Sequence, residues 1–213
     1  MKNVLRLKKL FSVCLIATMV FVSAATAFAG TTALTQKQIN ERLNAIDQKY
    51  EIGQVLSKED SDFILKYSPI KNNTSGIQTR SVDITGDEEF AMSFAKTFEK
   101  GITIAISGPF GGNAKYWSSS SPFFAKADID VIEGYGSSKL KKIKFAVKAT
   151  GYILTPKQIL QKAAEETISS TGTNKSFSVD KEKTLDIKYC CSMTLKPYVE
   201  VKTAKGDYSV DIY

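Results

Sequence analysis

Histidine is absent from all 213 residues. Its absence excludes Ser-His-Asp and Cys-His nucleophile systems, zinc held by imidazole, and an imidazole general base. Beyond residue 29 arginine occurs only as Arg42 and Arg80. Lysine carries the remaining positive charge and lacks the planar fork that pairs with phosphates and base edges, so no nucleic-acid partner is expected. Gly108, Gly111 and Gly112 are followed by no Gly-Lys-Ser/Thr, which excludes a phosphate loop, and no EF-hand spacing occurs. Neither a cofactor nor a metal site is expected.

Long apolar runs are scarce as well. Leu10 to Val22 follows four cations, Lys2, Arg6, Lys8 and Lys9, and precedes small residues ending at Ala27-Phe28-Ala29. That order is the layout of a secretory signal, and the run is short for a membrane-spanning helix. The expectation is a signal peptide over residues 1–29, cleavage after Ala29 and an extracellular chain starting at Gly30. Cys14 lies inside the apolar run behind Val13, where a lipoprotein needs its cysteine after the run and behind a small residue. No stable membrane anchor is therefore expected after cleavage. Losing those four cations reduces the excess of 29 basic over 22 acidic residues from seven to three.

From Thr35 the pattern turns helical. Thr35 with Gln38 forms a capping box, Ile39, Leu43, Ile46 and Tyr50 recur at helical spacing, and Gly53 suits the stop. Ser57 with Asp60 repeats the start signal ahead of Phe63, Ile64 and Tyr67. Helices this short must pack on each other or on a larger domain. They define a helical segment over residues 30–68, followed by a polar linker over 69–80. Two readings fit: the helices pack on the domain C-terminal to the linker, or they form a pro-segment released by cleavage near Arg80.

After the linker the period becomes two. Ile102, Ile104 and Ile106, then Ala127, Ile129 and Val131, then Ile143, Phe145 and Val147 each alternate with smaller or polar residues, as half-buried strands do. Leu185 to Leu195 reads as one further alternating stretch, and Ala204-Lys205-Gly206 as a hairpin loop with Gly206 in the left-handed position. Glu89 to Lys100 fits either a helix or a strand; the strand is preferred, with a loop at Glu99-Lys100-Gly101. Thr155, Pro156 and Gln158 ahead of Leu160, Ala164 and Ile168 predict one inserted helix. A hairpin loop over residues 134–138 would set Asp130 opposite Lys142 and Asp128 opposite Lys144. The fold expected for residues 81–213 is mainly β, an antiparallel two-sheet sandwich carrying the N-terminal two-helix segment and one inserted helix.

Residues 107–124 gather Phe110, Tyr116, the single tryptophan Trp117, Phe123 and Phe124 among Gly, Ser and Pro. Such aromatics stack on a sugar or peptide, enter a membrane interface, or plug the end of a sandwich. Lys139, Lys141, Lys142, Lys144 and Lys148 form either a basic patch for a polyanion or the polar face of a strand. Asp128, Asp130 and Glu133, or Asp87, Glu88 and Glu89, are carboxylate groupings that suggest calcium binding or a glycosidase pair. Cys190 and Cys191 are adjacent; a vicinal bridge, an intermolecular bridge and two unpaired thiols all remain open, the first being strained. No catalytic set emerges. The expected function is a secreted, non-enzymatic binding or effector module acting on an extracellular ligand or cell surface, with a carboxylate-dependent extracellular polymer hydrolase as the alternative.

Overall fold

The computed structural model describes residues 34–71, 88–99, 102–133, 140–173 and 176–212. The expected signal peptide, residues 72–80 of the expected linker, Asp87, the Lys100-Gly101 pair and residues 134–139, Lys139 included, lie outside them, as does the Glu133 side chain.

Helix α1, Gln36–Lys49, begins directly after Thr35 and buries Leu43, Ile46 and Asp47. Gly53, at φ 91°, turns the chain toward helix α2, Lys58–Tyr67. Ser57 caps α2 as its spacing predicts, its hydroxyl accepting from the Asp60 amide at 3.2 Å. Arg42 ties the helices together by pairing with Glu59 at 2.7 Å and lying 4.2 Å over the Phe63 ring. Lys49 and the Tyr50 hydroxyl both donate to Asp60, at 2.6 and 2.8 Å.

Among the described residues nine strands succeed the helices: β1 Ile70–Lys71, β2 Glu88–Glu99, β3 Ile102–Gly112, β4 Ser120–Glu133, β5 Leu140–Leu154, β6 Leu160–Gly172, β7 Phe177–Asp186, β8 Cys190–Thr203 and β9 Asp207–Asp211. One sheet has the order β2-β3-β4-β7 and the other β1-β8-β5-β6, with β9 also on β8. All pairings are antiparallel. The alternating residues noted in the sequence meet between the sheets: Ile102, Ile104, Ile106, Ala127, Ile129, Ile143, Phe145 and Val147 all belong to the buried core. The protein is a mainly β two-sheet sandwich, and the Glu89 region is a strand, as preferred.

The second sheet is covered on its outer side too. Ala146, Thr150 and Tyr152, which point away from the sandwich core, are almost fully buried. Helical-segment groups reach this face: the Leu160 amide donates to Ser61 Oγ at 2.9 Å, and Ser68 Oγ donates to the Met193 carbonyl at 2.8 Å.

Four local expectations fail, each for an identifiable reason. The inserted helix is strand β6. Thr155 caps a hairpin loop instead, donating to the Ile159 carbonyl from both its amide and its hydroxyl at 2.9 Å, with Gln158 at φ 60°. Pairing along β5 from Leu154↔Leu160 to Ile143↔Gly172 overrides the helix propensity of Ala163-Ala164-Glu165-Glu166. Asp128 and Asp130 do not face Lys142 and Lys144, because β4 pairs with β3 and β7 while β5 pairs with β6 and β8 in the other sheet. Alternation fixes which face a residue takes, not which strand lies beside it. The Leu185 to Leu195 stretch breaks between β7 and β8, where Tyr189 has φ 61°. Gly206 is not left-handed; the Thr203 hydroxyl holds the β8–β9 turn, accepting from the Lys205 and Gly206 amides at 3.1 Å.

Candidate functional site

The loop between β3 and β4 is fastened at its base. The Asn113 amide donates to the Pro122 carbonyl at 2.9 Å, the Lys115 amide to Ser121 Oγ at 3.0 Å, and the Ser120 amide to Ser118 Oγ at 3.2 Å. A further bond, Ile187 amide to Ser119 carbonyl at 3.1 Å, ties it to the turn between β7 and β8. These constraints bring together three aromatics from two distant segments. Trp117 stands edge-on to Tyr116 with ring centroids 5.0 Å apart, and Tyr116 lies 5.5 Å from Tyr189. Trp117 is 80% exposed and Tyr189 53%.

Tyr189 is the member that sequence reading missed. A bulky residue at φ 61° carries steric strain. Its exposed ring does not offset that strain by joining the core, and sets Tyr189 beside Tyr116 at the surface. Its one signal in the sequence is an aromatic next to Lys188, in a segment whose alternation reads as continuous strand.

The other expected aromatics go elsewhere. Phe123 is fully buried in the core. Phe124 is half-buried beside Lys126 and Glu182 on the outer face of its sheet. Phe110 packs 5.5 Å from Phe90 and borders a cavity under α1.

That cavity ends at a buried cluster of charges. Asp47 on α1 accepts from Lys148 Nζ at 2.9 Å and Thr150 Oγ1 at 2.7 Å, and lies 3.2 Å from Lys162 Nζ. Glu165 pairs with Lys148 at 2.7 Å and with Lys162. Lys162, 3% exposed, also donates to the Asp47 and Tyr50 carbonyls at 2.7 and 3.0 Å, placing a cation at the carboxyl end of α1. The β5–β6 register shift leaves Ala163 as an extra residue, which sets Lys162 and Glu165 on one face although they are three apart.

Burial alone would raise the Asp47 carboxyl, but hydrogen bonds from Lys148 and Thr150 and the charges of Lys148 and Lys162 hold it below the usual carboxylate range. Lys148 is shifted the other way: burial would lower it, and Glu165 and Asp47 raise it. Tyr152, beneath the same cluster, is pushed above the ordinary tyrosine range by burial first and by Asp47 second.

The expected basic run does not act as a unit among the described residues. Lys144 pairs with Glu200 on the neighbouring strand at 3.1 Å and Lys148 belongs to the buried cluster, while Lys141 and Lys142 are exposed. Asp128 accepts from Ser178 Oγ at 2.6 Å, and Asp128, Asp130, Glu88 and Glu89 are exposed. No grouping of acidic or thiol side chains among the described residues has metal-site geometry. Cys190 and Cys191 are buried and unbridged. Burial raises both thiols, Cys191 to about 12 with the neighbouring Cys190 adding to the effect.

No family model matches this sequence, and no match to it was found among curated proteins.

Proposed function

We propose that the protein is a secreted, non-enzymatic binding module that engages glycan chains at a cell surface through Tyr116, Trp117 and Tyr189. One observation carries this reading: the single tryptophan is 80% exposed on a loop fastened by hydrogen bonds and braced by two further aromatics. Exposing a large ring costs solvation, and fixing it in place lowers the entropy lost when a ligand docks. A sugar ring offers an apolar C–H face to the indole and hydroxyls to a polar rim, and exposed Lys115, Ser119 and Lys188 supply such a rim. The hydrolase alternative is less well supported. Asp47 and Glu165, the carboxylates that approach each other in the buried cluster, are both engaged by ammonium groups, and Asp47 is held ionised.

Trp117 is the only tryptophan, so fluorescence excited selectively at the indole, beyond tyrosine absorption, reads this surface alone. Titration with soluble glycan fragments is expected to shift its emission saturably. Trp117→Ala should weaken retention on the corresponding insoluble glycan by about 1–3 kcal/mol with an unchanged melting temperature. A large drop in melting temperature would make the tryptophan structural. An emission shift with lipid vesicles and none with glycans would replace the glycan by a membrane interface.

A further inference from the structure

The cavity under α1 has a volume of about 420 Å³, within the range of about 300–1,000 Å³ typical of small-ligand sites. It shares no residue with the aromatic surface around Trp117. Polar groups enter from α1, which presents Asn40, Asn44 and Asp47 at helical spacing around Leu43, and from Thr194 of β8. β2 and β3 contribute apolar lining, Phe90, Met92 and Phe110.

The charges around it already have partners within the protein. Asp47 is met by Lys148 and Lys162, and Lys196 lies 3.0 Å from Asp211, which also accepts from Asn44 Nδ2 at 3.2 Å. An ionic ligand must either disrupt one of these pairs or be desolvated without a counter-charge, and both are costly. An uncharged ligand meets amides and a hydroxyl from α1 and β8 and apolar side chains from β2 and β3.

We infer that this cavity binds a small neutral amphiphile, with its apolar body against Phe90, Met92 and Phe110 and a hydroxyl or carbonyl group toward Asn40, Asn44 and Thr194. The probe is N-phenyl-1-naphthylamine, an uncharged fluorophore that brightens in apolar surroundings, added to the full chain. Saturable brightening is expected. A decyl alcohol should displace the probe at concentrations at least tenfold below those needed for decanoate or decylammonium, whose apolar bodies are comparable.

Gln36 is exposed on the first turn of α1 and lines the cavity on the same helical face as Asn40, Asn44 and Asp47, so Gln36→Trp should fill the mouth and weaken probe binding at least tenfold. Trp117→Ala should bind the probe as the unaltered protein does, which separates this site from the glycan surface. The displacement series needs no variant, so it decides the matter even if Gln36→Trp misfolds. No saturable brightening, displacement by the charged analogues as strong as by the alcohol, or full binding by a folded Gln36→Trp would each overturn the inference.

Discussion

Asp47 sits one turn after Leu43 on the apolar stripe of α1, a place where a carboxylate is stable only if the facing surface supplies donors. Thr150, Lys148 and Lys162 supply them from two neighbouring strands. Asp47→Ala leaves two lysines sharing Glu165 alone, and should destabilise the fold by about 3–5 kcal/mol in urea unfolding. The pH dependence has a definite sign. Because the folded Asp47 carboxyl titrates below its ordinary value of 3.8, its contribution is complete above that value and is lost as pH falls through the depressed one. Lys148, raised above 10.5, loses its contribution only when pH rises through its folded value. Unfolding midpoints should therefore fall steeply below about pH 4, and less steeply in Asp47→Ala. The cluster was partly legible: position 47 falls on the helical stripe by spacing alone. Lys162 was not, because a helix over its segment implies a different set of neighbours.

At the scale of elements, period-two alternation identified β3, β4 and β5 and the faces their residues take. It did not identify their neighbours, since the charge match between β4 and β5 is equally compatible with strands in separate sheets. The β5–β6 hairpin shows how local signals mislead: Thr155, Pro156 and Gln158 suit a helix start and a five-residue hairpin loop alike. Gln158 holds a left-handed conformation that favours glycine, with φ 60°. Gln158→Gly should therefore raise stability by about 1 kcal/mol, read as a higher urea midpoint, provided the hairpin is as described. A helix beginning at Thr155 would instead be weakened by the same change. Residues 107–124 stand out in the sequence, yet their aromatics divide among core, cavity and surface, because the stretch spans the end of β3, a loop holding Tyr116 and Trp117, and the start of β4, where successive residues face opposite ways.

For the whole molecule, the helical pair belongs to the same compact unit as the strands, Gln36–Tyr213. Its removal would uncover Ala146, Thr150 and Leu160, and leave the Lys162 ammonium without the Asp47 and Tyr50 carbonyls. A chain starting at residue 69 should lose cooperative thermal unfolding, monitored by near-ultraviolet circular dichroism. Retention of a sharp transition would restore the reading of the helices as a detachable pro-segment.

Strand β8 is bonded to β5 along one edge and to β1 and β9 along the other, and Ile70 waits for Met193 as its partner. Until residues 190–203 have been synthesised, β5 lacks one neighbour and β1 has none within its sheet. Non-local pairing of this kind delays folding, because a long loop must close before any contact compensates for it. The sheet built on β8 therefore closes last, after β2, β3 and β4, which pair as neighbours in the chain and wait for no distant segment.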